Sequence, residues 1–270
     1  SHFAHVVEEA LEHGVQLEIS SAYDVDLIRR LQQRGKITKD ITIVCNGFKP
    51  LDYLEAITGL INDGFDNLIT VVDNAHELDY YSEHVNVKAK IGIRVATEEE
   101  PNFEFYTSRL GLRGADVIPL FNEKIKNNPK LELHMLHFFV DTGIKDSLYY
   151  WGELKKAVRL YGELKKQSKQ LNALNIGGGM PIRNSLGFEF DYKYVVREIV
   201  SNILEACEEI EVPEPDIYTE FGKYTVGESG ATIFSVLAQK QQHDSALWYI
   251  IDNSLTVSST HLTLPTIYLV

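Results

Sequence analysis

Three consecutive glycines, Gly177, Gly178 and Gly179, directly follow a short apolar run. Glycine has no Cβ atom and tolerates positive φ, so a strand that ends in glycines can bring several backbone N–H groups up to one anion. A phosphate group is the natural guest for such a loop. A tight turn without a ligand is the alternative, because a glycine triplet alone is weak evidence.

A carboxylate, Glu220, follows the next apolar run, and Gly222 and Lys223 come just after it. A carboxylate that faces a pyridine nitrogen keeps that nitrogen protonated, and a pyridinium ring accepts electrons from a breaking bond. The alternative is a surface salt bridge between Glu220 and Lys223. The sequence thus offers two candidate polar groups at the ends of successive apolar runs.

Apolar runs alternate with helical periodicity from residue 3 to residue 219, and glycines such as Gly14, Gly35 and Gly64 close the helical segments. This alternation predicts βαβ units and a parallel sheet. Strands are predicted at 17–20, 42–45, 68–72, 90–96, 131–140, 174–176 and 217–219. One more strand, implied before Ser1, predicts an eight-stranded (β/α) barrel that lacks its first strand here. An open doubly wound sheet is the structural alternative.

The texture changes after the last of these strands. Residues 231–237 and 247–251 are rich in β-formers and have Gln- and His-rich residues between them, which predicts the start of a β domain. The expected organisation is a barrel over 1–229, the start of a β domain over 230–255 and a non-native tail over 256–270. The tail carries no charged residue and no continuing periodicity, although an exposed β tail is the alternative.

Together these segments resemble the alanine-racemase-like barrel family of pyridoxal-phosphate (PLP) enzymes, in the decarboxylase branch that handles ornithine, arginine, diaminopimelate and carboxynorspermidine. The resemblance spans residues 1–255. It implies PLP as cofactor, with phosphate contacts from the glycine triplet, Gly222 and Lys223, and with Glu220 at the pyridinium. The family has an arginine where this chain has Lys223, which keeps the charge but loses the bidentate fork.

The segment from Leu136 to Gly143 resembles a family motif in which a histidine stacks on the cofactor ring and a serine touches phosphate. The histidine's register falls on Phe139, which can stack but cannot donate a hydrogen bond. His137 lies two residues earlier and shares that face of the strand, so its role stays open. Thr142 matches the hydroxyl.

The segments 17–24 and 92–95 resemble the family's strands that supply acidic and arginine groups around the cofactor ring. This resemblance implies ring-side roles for Glu18, Asp24 and Arg94. Structural ion pairing is the alternative for all three.

The family's cofactor-binding lysine precedes the first helix, so the resemblance puts it before Ser1. Lys36 and Lys39 lie in a polar helix-to-strand connection and do not replace it. The chain by itself is therefore expected to show no decarboxylase activity and to be poorly soluble or partly unfolded.

The segments 133–138 and 248–255 resemble biosynthetic arginine decarboxylases. The resemblance implies that the full-length parent converts L-arginine to agmatine, in polyamine biosynthesis. Two alternatives remain, which are a decarboxylase for another basic or diamino acid and a non-enzymatic PLP-binding barrel.

Composition agrees with a small-molecule ligand. The net charge of −13 disfavours affinity for nucleic acid or anionic membranes, and a cationic substrate fits it better. Cys45 and Cys207 have no metal-site or disulfide spacing, and no run of 18 apolar residues is present. A cytoplasmic protein is expected, and the family implies a homodimer or higher homo-oligomer at full length.

Overall fold

The computed structural model describes residues 3–97, 110–140, 143–144, 147–183, 188–228, 233–241 and 247–252. Seven parallel strands form one curled sheet in the order in which they occur along the chain. They are β1 (Leu17–Ile19), β2 (Ile43–Cys45), β3 (Leu68–Val72), β4 (Ala89–Val95), β5 (Leu131–Phe138), β6 (Ala173–Asn175) and β7 (Asp216–Tyr218).

Helices connect the strands and cover the outer face of the sheet. They are α1 (Ala4–Glu12), α2 (Ala22–Gln33), α3 (Leu51–Asn62), α4 (Ala75–His84), α5 (Gly114–Leu120) with a π-helical turn (Phe121–Ile125), α6 (Leu148–Lys165), α7 (Tyr192–Glu209) and α8 (Gly222–Val226). Side chains of Asn74, Ser147 and Asp191 cap the N-termini of α4, α6 and α7. These caps satisfy backbone N–H groups that have no partner inside the helix.

The sequential strand order confirms the barrel-type architecture. In a doubly wound sheet the strand order reverses at a switch point, whereas here each strand pairs with the next one along the chain. Every connecting helix can then pack on the same outer face. β1 and β7 are the two edges of the sheet, and neither pairs with the other among the described residues.

The hydrophobic core has two parts, as expected for a curled sheet covered on one face. A large cluster lies between the helices and the outward face of the strands, and a small one fills the inside of the curl with Val44, Ile69, Val71, Met135 and Ala173. Gly92 faces this inner cluster because an added Cβ would lie only 2.9 Å from Val71 Cγ2. The inner side is therefore packed beneath the strand ends.

The seven predicted barrel strands are confirmed within one or two residues at each end. The antiparallel ribbon consists of β8 (Val236–Gln241) and β9 (Leu247–Ile251). The first strand, predicted over 231–237, was therefore wrong at 233–235, which belong to no strand, while 231–232 lie outside the described residues. Gln239, Lys240 and Gln241 belong to β8 and were read as turn residues. All residues of β8 are exposed, so polar side chains are tolerated there and hide the strand pattern.

No helix in the described part of the chain is long and apolar enough to cross a membrane. The same residues contain no group of three or more His, Cys, Asp or Glu side chains arranged to hold a metal ion.

Candidate active site

The carboxyl ends of parallel strands meet at one edge of the sheet, so the residues that end them are neighbours in space. Glu220, two residues after β7, is the centre of this cluster. Its Oε1 accepts hydrogen bonds from Asn46 Nδ2, just after β2, at 2.7 Å and from Asn175 Nδ2, at the end of β6, at 2.7 Å. His137 Nε2 on β5 lies 3.4 Å from the same carboxylate.

These contacts keep Glu220 ionised. Burial opposes the charged form, but the hydrogen bonds and positive potential from His137 and the hydrogen bonds from Asn46 and Asn175 outweigh it and lower the pKa of Glu220. The sequence left open a salt bridge between Glu220 and Lys223. Among the described residues, the side-chain partners of Glu220 are Asn46, Asn175 and His137 instead. The side chain is 17% exposed and turns inward.

His137 is almost fully buried inside the curl, with its side chain 1% exposed. Nε2 faces Glu220, and Nδ1 has no hydrogen-bond partner among the described residues. The sequence left the role of His137 open, and the structure places its Nε2 beside the Glu220 carboxylate.

A second carboxyl group, Glu18 on β1, approaches the same cluster from the other edge of the sheet. Asn46 Nδ2 donates to its Oε1 at 3.1 Å as well as to Glu220. Glu18 as a whole residue is exposed and lies on the wall of an open cavity. Desolvation of its carboxyl group, followed by repulsion from Glu220, raises the pKa of Glu18 to about 7.

The glycine loop after β6 has no room for side chains at its three glycine positions. Gly177 and Gly179 have positive φ angles of 68° and 96°. A Cβ on Gly178 would lie 2.7 Å from the carbonyl oxygen of Glu220, and one on Gly179 would lie 2.7 Å from Gly143 Cα. The loop therefore packs directly against the backbone of the Glu220 segment and of the 143–144 segment.

The backbone groups of this loop are only partly used. Gly177 N donates to Asn175 Oδ1 at 2.9 Å, and the Gly177 carbonyl accepts from Glu220 N at 2.9 Å. Among the described residues, the N–H groups of Gly178 and Gly179 have no acceptor. Two adjacent unused donors on a glycine loop are suited to an anion.

Phe139 lies against this loop, with its Cδ2 2.9 Å from the position that a Gly177 Cβ would take. The guanidinium carbon of Arg94, near the end of β4, lies 5.8 Å from the centroid of the Phe139 ring. The structure thus brings Arg94 and Phe139 together beside the glycine loop.

Three further predicted residues have other contacts or surroundings among the described residues. Asp24 belongs to the first turn of α2, where its Oδ2 accepts from Ser20 N at 3.1 Å and from Ser21 Oγ at 2.9 Å, so its described contacts stabilise the start of that helix. Lys223 and Gly222 are exposed in α8. Thr142 lies outside the described residues.

A cavity of about 730 Å³ opens between the two sheet edges. Glu18, Val44, Asn175 and Glu220 lie on its wall, together with residues of α1 and α8. No lysine is found among the described residues that line it. The space is large enough for a small organic ligand.

Sequence reasoning missed Asn46 and Asn175, the two amides that hold Glu220. Both directly follow or end apolar runs, at the same strand ends as the residues that were chosen. Position alone could have marked them, but an asparagine near a strand end is also common in plain turns.

The fold and site define a barrel-type protein with a glycine loop that is suited to an anion and a carboxylate with a lowered pKa beside it. The model of the family "Pyridoxal-dependent decarboxylase, pyridoxal binding domain" matches residues 2–227. The chain belongs to this family. It is a family of PLP-dependent enzymes, so its cofactor is pyridoxal phosphate.

Relatives agree with this assignment. The chain is 27% identical over 257 residues to the Synechocystis protein named "Biosynthetic arginine decarboxylase 2", and the match covers 88% of this chain and 38% of that protein. The chain therefore spans well under half the length of that relative.

Solved structures share the fold. A diaminopimelate decarboxylase from M. jannaschi superposes with a TM-score of 0.72 at 16% identity, covering 93% of this chain and 58% of that one. The arginine decarboxylase of Paramecium bursaria Chlorella virus, solved with agmatine, gives 0.65 at 17% identity, covering 92% and 62%.

The residues present fit pyridoxal phosphate. The glycine loop offers the N–H groups of Gly178 and Gly179, which have no acceptor among the described residues, in a cradle that a Cβ would fill. Glu220 offers an acceptor whose pKa is lowered by its three donors, which suits a protonated ring nitrogen.

Proposed function

We propose that the complete protein to which this chain belongs decarboxylates L-arginine to agmatine. Relatives named biosynthetic arginine decarboxylase support the substrate. The observation that carries the proposal is Glu220, a carboxylate held ionised beside a glycine loop in which two N–H groups have no acceptor within the described part of the chain.

The chain's residues divide the work by position. Gly178 and Gly179 donate their N–H groups to the phosphate, while Lys223, Gly222 and Thr142 are proposed as further phosphate contacts. Glu220 holds a proton at the ring nitrogen, because Asn46, Asn175 and His137 keep its carboxylate charged.

When bound, pyridoxal phosphate supplies the electron sink for the pair left by the departing carboxylate. Phe139 offers a flat apolar face beside the glycine loop, and Arg94 packs on that ring. The side chain of Glu18 adds a carboxyl group on the opposite wall, with a pKa of about 7. Asp24 is kept as a ring-side candidate, although its described contacts are to the start of α2.

The test is product analysis with the complete protein. PLP is present in every reaction, and each reaction contains one amino acid from a panel of L-arginine, L-ornithine, L-lysine, meso-diaminopimelate and carboxynorspermidine. The released carbon dioxide and the amine products are quantified. We expect agmatine from arginine at the highest kcat/KM. No agmatine from arginine, together with turnover of another amino acid in the panel, would replace arginine by that substrate.

A related diaminopimelate decarboxylase has the same fold at a comparable TM-score, so the panel must include that substrate. If the protein binds PLP but releases carbon dioxide from none of the amino acids, the alternative of a non-enzymatic PLP-binding barrel would be favoured.

The domain division proposed for the chain is a barrel over 1–229, the start of a β domain over 230–255 and a separate tail over 256–270. We propose that the 270-residue chain alone is inactive, because the described wall of the cavity has no lysine to bind the cofactor covalently. A homo-oligomer is proposed for the complete protein.

A further inference from the structure

Lys49, four residues after β2, is a fully buried lysine outside the cluster described above. Its side chain is 0% exposed. The ammonium group donates to the Gly47 carbonyl at 2.9 Å and to the Val71 carbonyl at 2.5 Å, and it lies 3.0 Å from Glu77 Oε2 on α4. One side chain therefore connects the end of β2, the end of β3 and the start of α4.

Stability alone does not call for this arrangement. Removing two charges from water costs several kcal/mol per ion, and apolar residues of similar volume often replace a buried pair without loss of stability. Burial raises the pKa of Glu77, and the contact with Lys49 opposes that rise. The ion pair with Glu77 does not account for the hydrogen bonds that Lys49 donates to the Gly47 and Val71 carbonyls.

The Gly47 carbonyl belongs to the turn that carries Asn46. Gly47 has a φ of 78°, which only glycine adopts easily, and Asn46 N donates to the Ile19 carbonyl at 2.8 Å. Lys49 thus fixes one side of the turn and β1 fixes the other. Between these two points, the Asn46 amide donates to both Glu18 and Glu220.

We propose that Lys49 is a positioning residue, which holds the Asn46 amide against Glu220 through its hydrogen bond to the Gly47 carbonyl. The inference rests on the proposed function for its kinetic readout. Its second readout, the absorbance of PLP bound without substrate, responds to the surroundings of the ring nitrogen and requires no decarboxylation.

The decisive variant of the complete protein is Lys49→Met combined with Glu77→Gln, which removes both charges and leaves none unpaired. Its matched partner is Glu77→Gln alone, which removes the ion pair but keeps the two carbonyl contacts of Lys49. Lys124→Met is the outer-surface control, because Lys124 pairs with Asp79 on the same helix, α4.

We expect the double variant to fold, with a kcat about tenfold lower, a KM within about twofold of wild type and a shifted absorbance of bound PLP. Glu77→Gln and Lys124→Met should keep the wild-type kcat and absorbance. Asn46→Ala should lower kcat by a similar factor, and adding it to the double variant should cause no further loss.

A double variant with wild-type kcat and absorbance overturns the proposal, as does additivity with Asn46→Ala. An equal effect of Glu77→Gln alone would assign the role to the ion pair and also overturn it. If methionine prevents folding, Lys49→Gln with Glu77→Gln makes the same prediction. If no amino acid is decarboxylated by the wild type, the proposed function fails while the absorbance comparison still decides the role of Lys49.

Discussion

Glu18 and Glu220 lie on opposite edges of one sheet and share the amide of Asn46, yet their ionisation differs. Glu220 has three side-chain donors, and its pKa is lowered even though it is the more buried of the two. Glu18 has one donor, and partial desolvation and the charge of Glu220 raise its pKa to about 7. Burial raises the pKa of both carboxyl groups, and it is outweighed at Glu220 by three donors but not at Glu18 by one.

The carboxyl groups of Glu18 and Glu220 also differ in which elements hold them. The donors of Glu220 come from the ends of three different strands, so the carboxylate depends on how these strand ends are arranged relative to one another. Glu18 depends on a single amide. The β7 edge is therefore organised around a fixed negative charge, and the β1 edge around a group that changes charge near neutrality.

Removing Glu220 should have the largest effect on this comparison. In the complete protein, Glu220→Ala should lower kcat about a hundredfold or more, because a preorganised charge acts on the reacting ring. PLP should remain bound, since the phosphate contacts lie on the glycine loop. Steady-state kinetics and equilibrium dialysis of PLP measure the two quantities.

Glu228→Ala is the control, because Glu228 is exposed just after α8. Near-normal turnover in Glu220→Ala would remove Glu220 from the mechanism. Loss of PLP with unchanged turnover per bound cofactor would make it a binding residue instead.

The fold could be predicted from the sequence because its signal is local. The central strands are short apolar runs, of which β2, β3 and β6 are buried at every residue, and the longer helices have a 3.6-residue period. The seven strands were therefore found close to their true bounds. The ribbon of β8 and β9 was harder, because exposed strands carry no burial pattern and Gln239 and Lys240 look like turn residues.

The site was only partly predictable. Glu220 and the glycine loop follow strands directly, so strand position found them. The amides of Asn46 and Asn175 and the buried Lys49 were not chosen, because their importance comes from contacts between residues far apart in the sequence. The ring-side role of Asp24 stays a prediction, and its described contacts are to Ser20 and Ser21 at the start of α2.

The two glycine positions near the strand ends should differ sharply. Gly178→Ala would put a Cβ 2.7 Å from the Glu220 carbonyl oxygen, whereas Gly222→Ala meets no atom within 4 Å. We expect Gly178→Ala to destabilise the protein by about 1–3 kcal/mol and to weaken PLP binding. In thermal unfolding, Gly222→Ala should be as stable as wild type, and equal losses of stability in both variants would contradict the packing argument. PLP titration measures the weakened binding of Gly178→Ala.

The smallest predicted effect concerns Glu18 and the pH dependence of stability. Its pKa is about 7 in the folded protein against an ordinary value of 4.5, so between these values the folded state holds a proton that the unfolded state has released. Stability contributed by this site is therefore present at low pH and falls as the pH rises through that window. Glu18→Gln cannot titrate, so its melting temperature should gain a few degrees relative to wild type between pH 5 and pH 8. Thermal unfolding at both pH values tests this, with the exposed Glu205→Gln as the matched change of charge. The same pH dependence in wild type and Glu18→Gln would mean that Glu18 is ionised across the whole range, and the contrast between the two sheet edges would be lost.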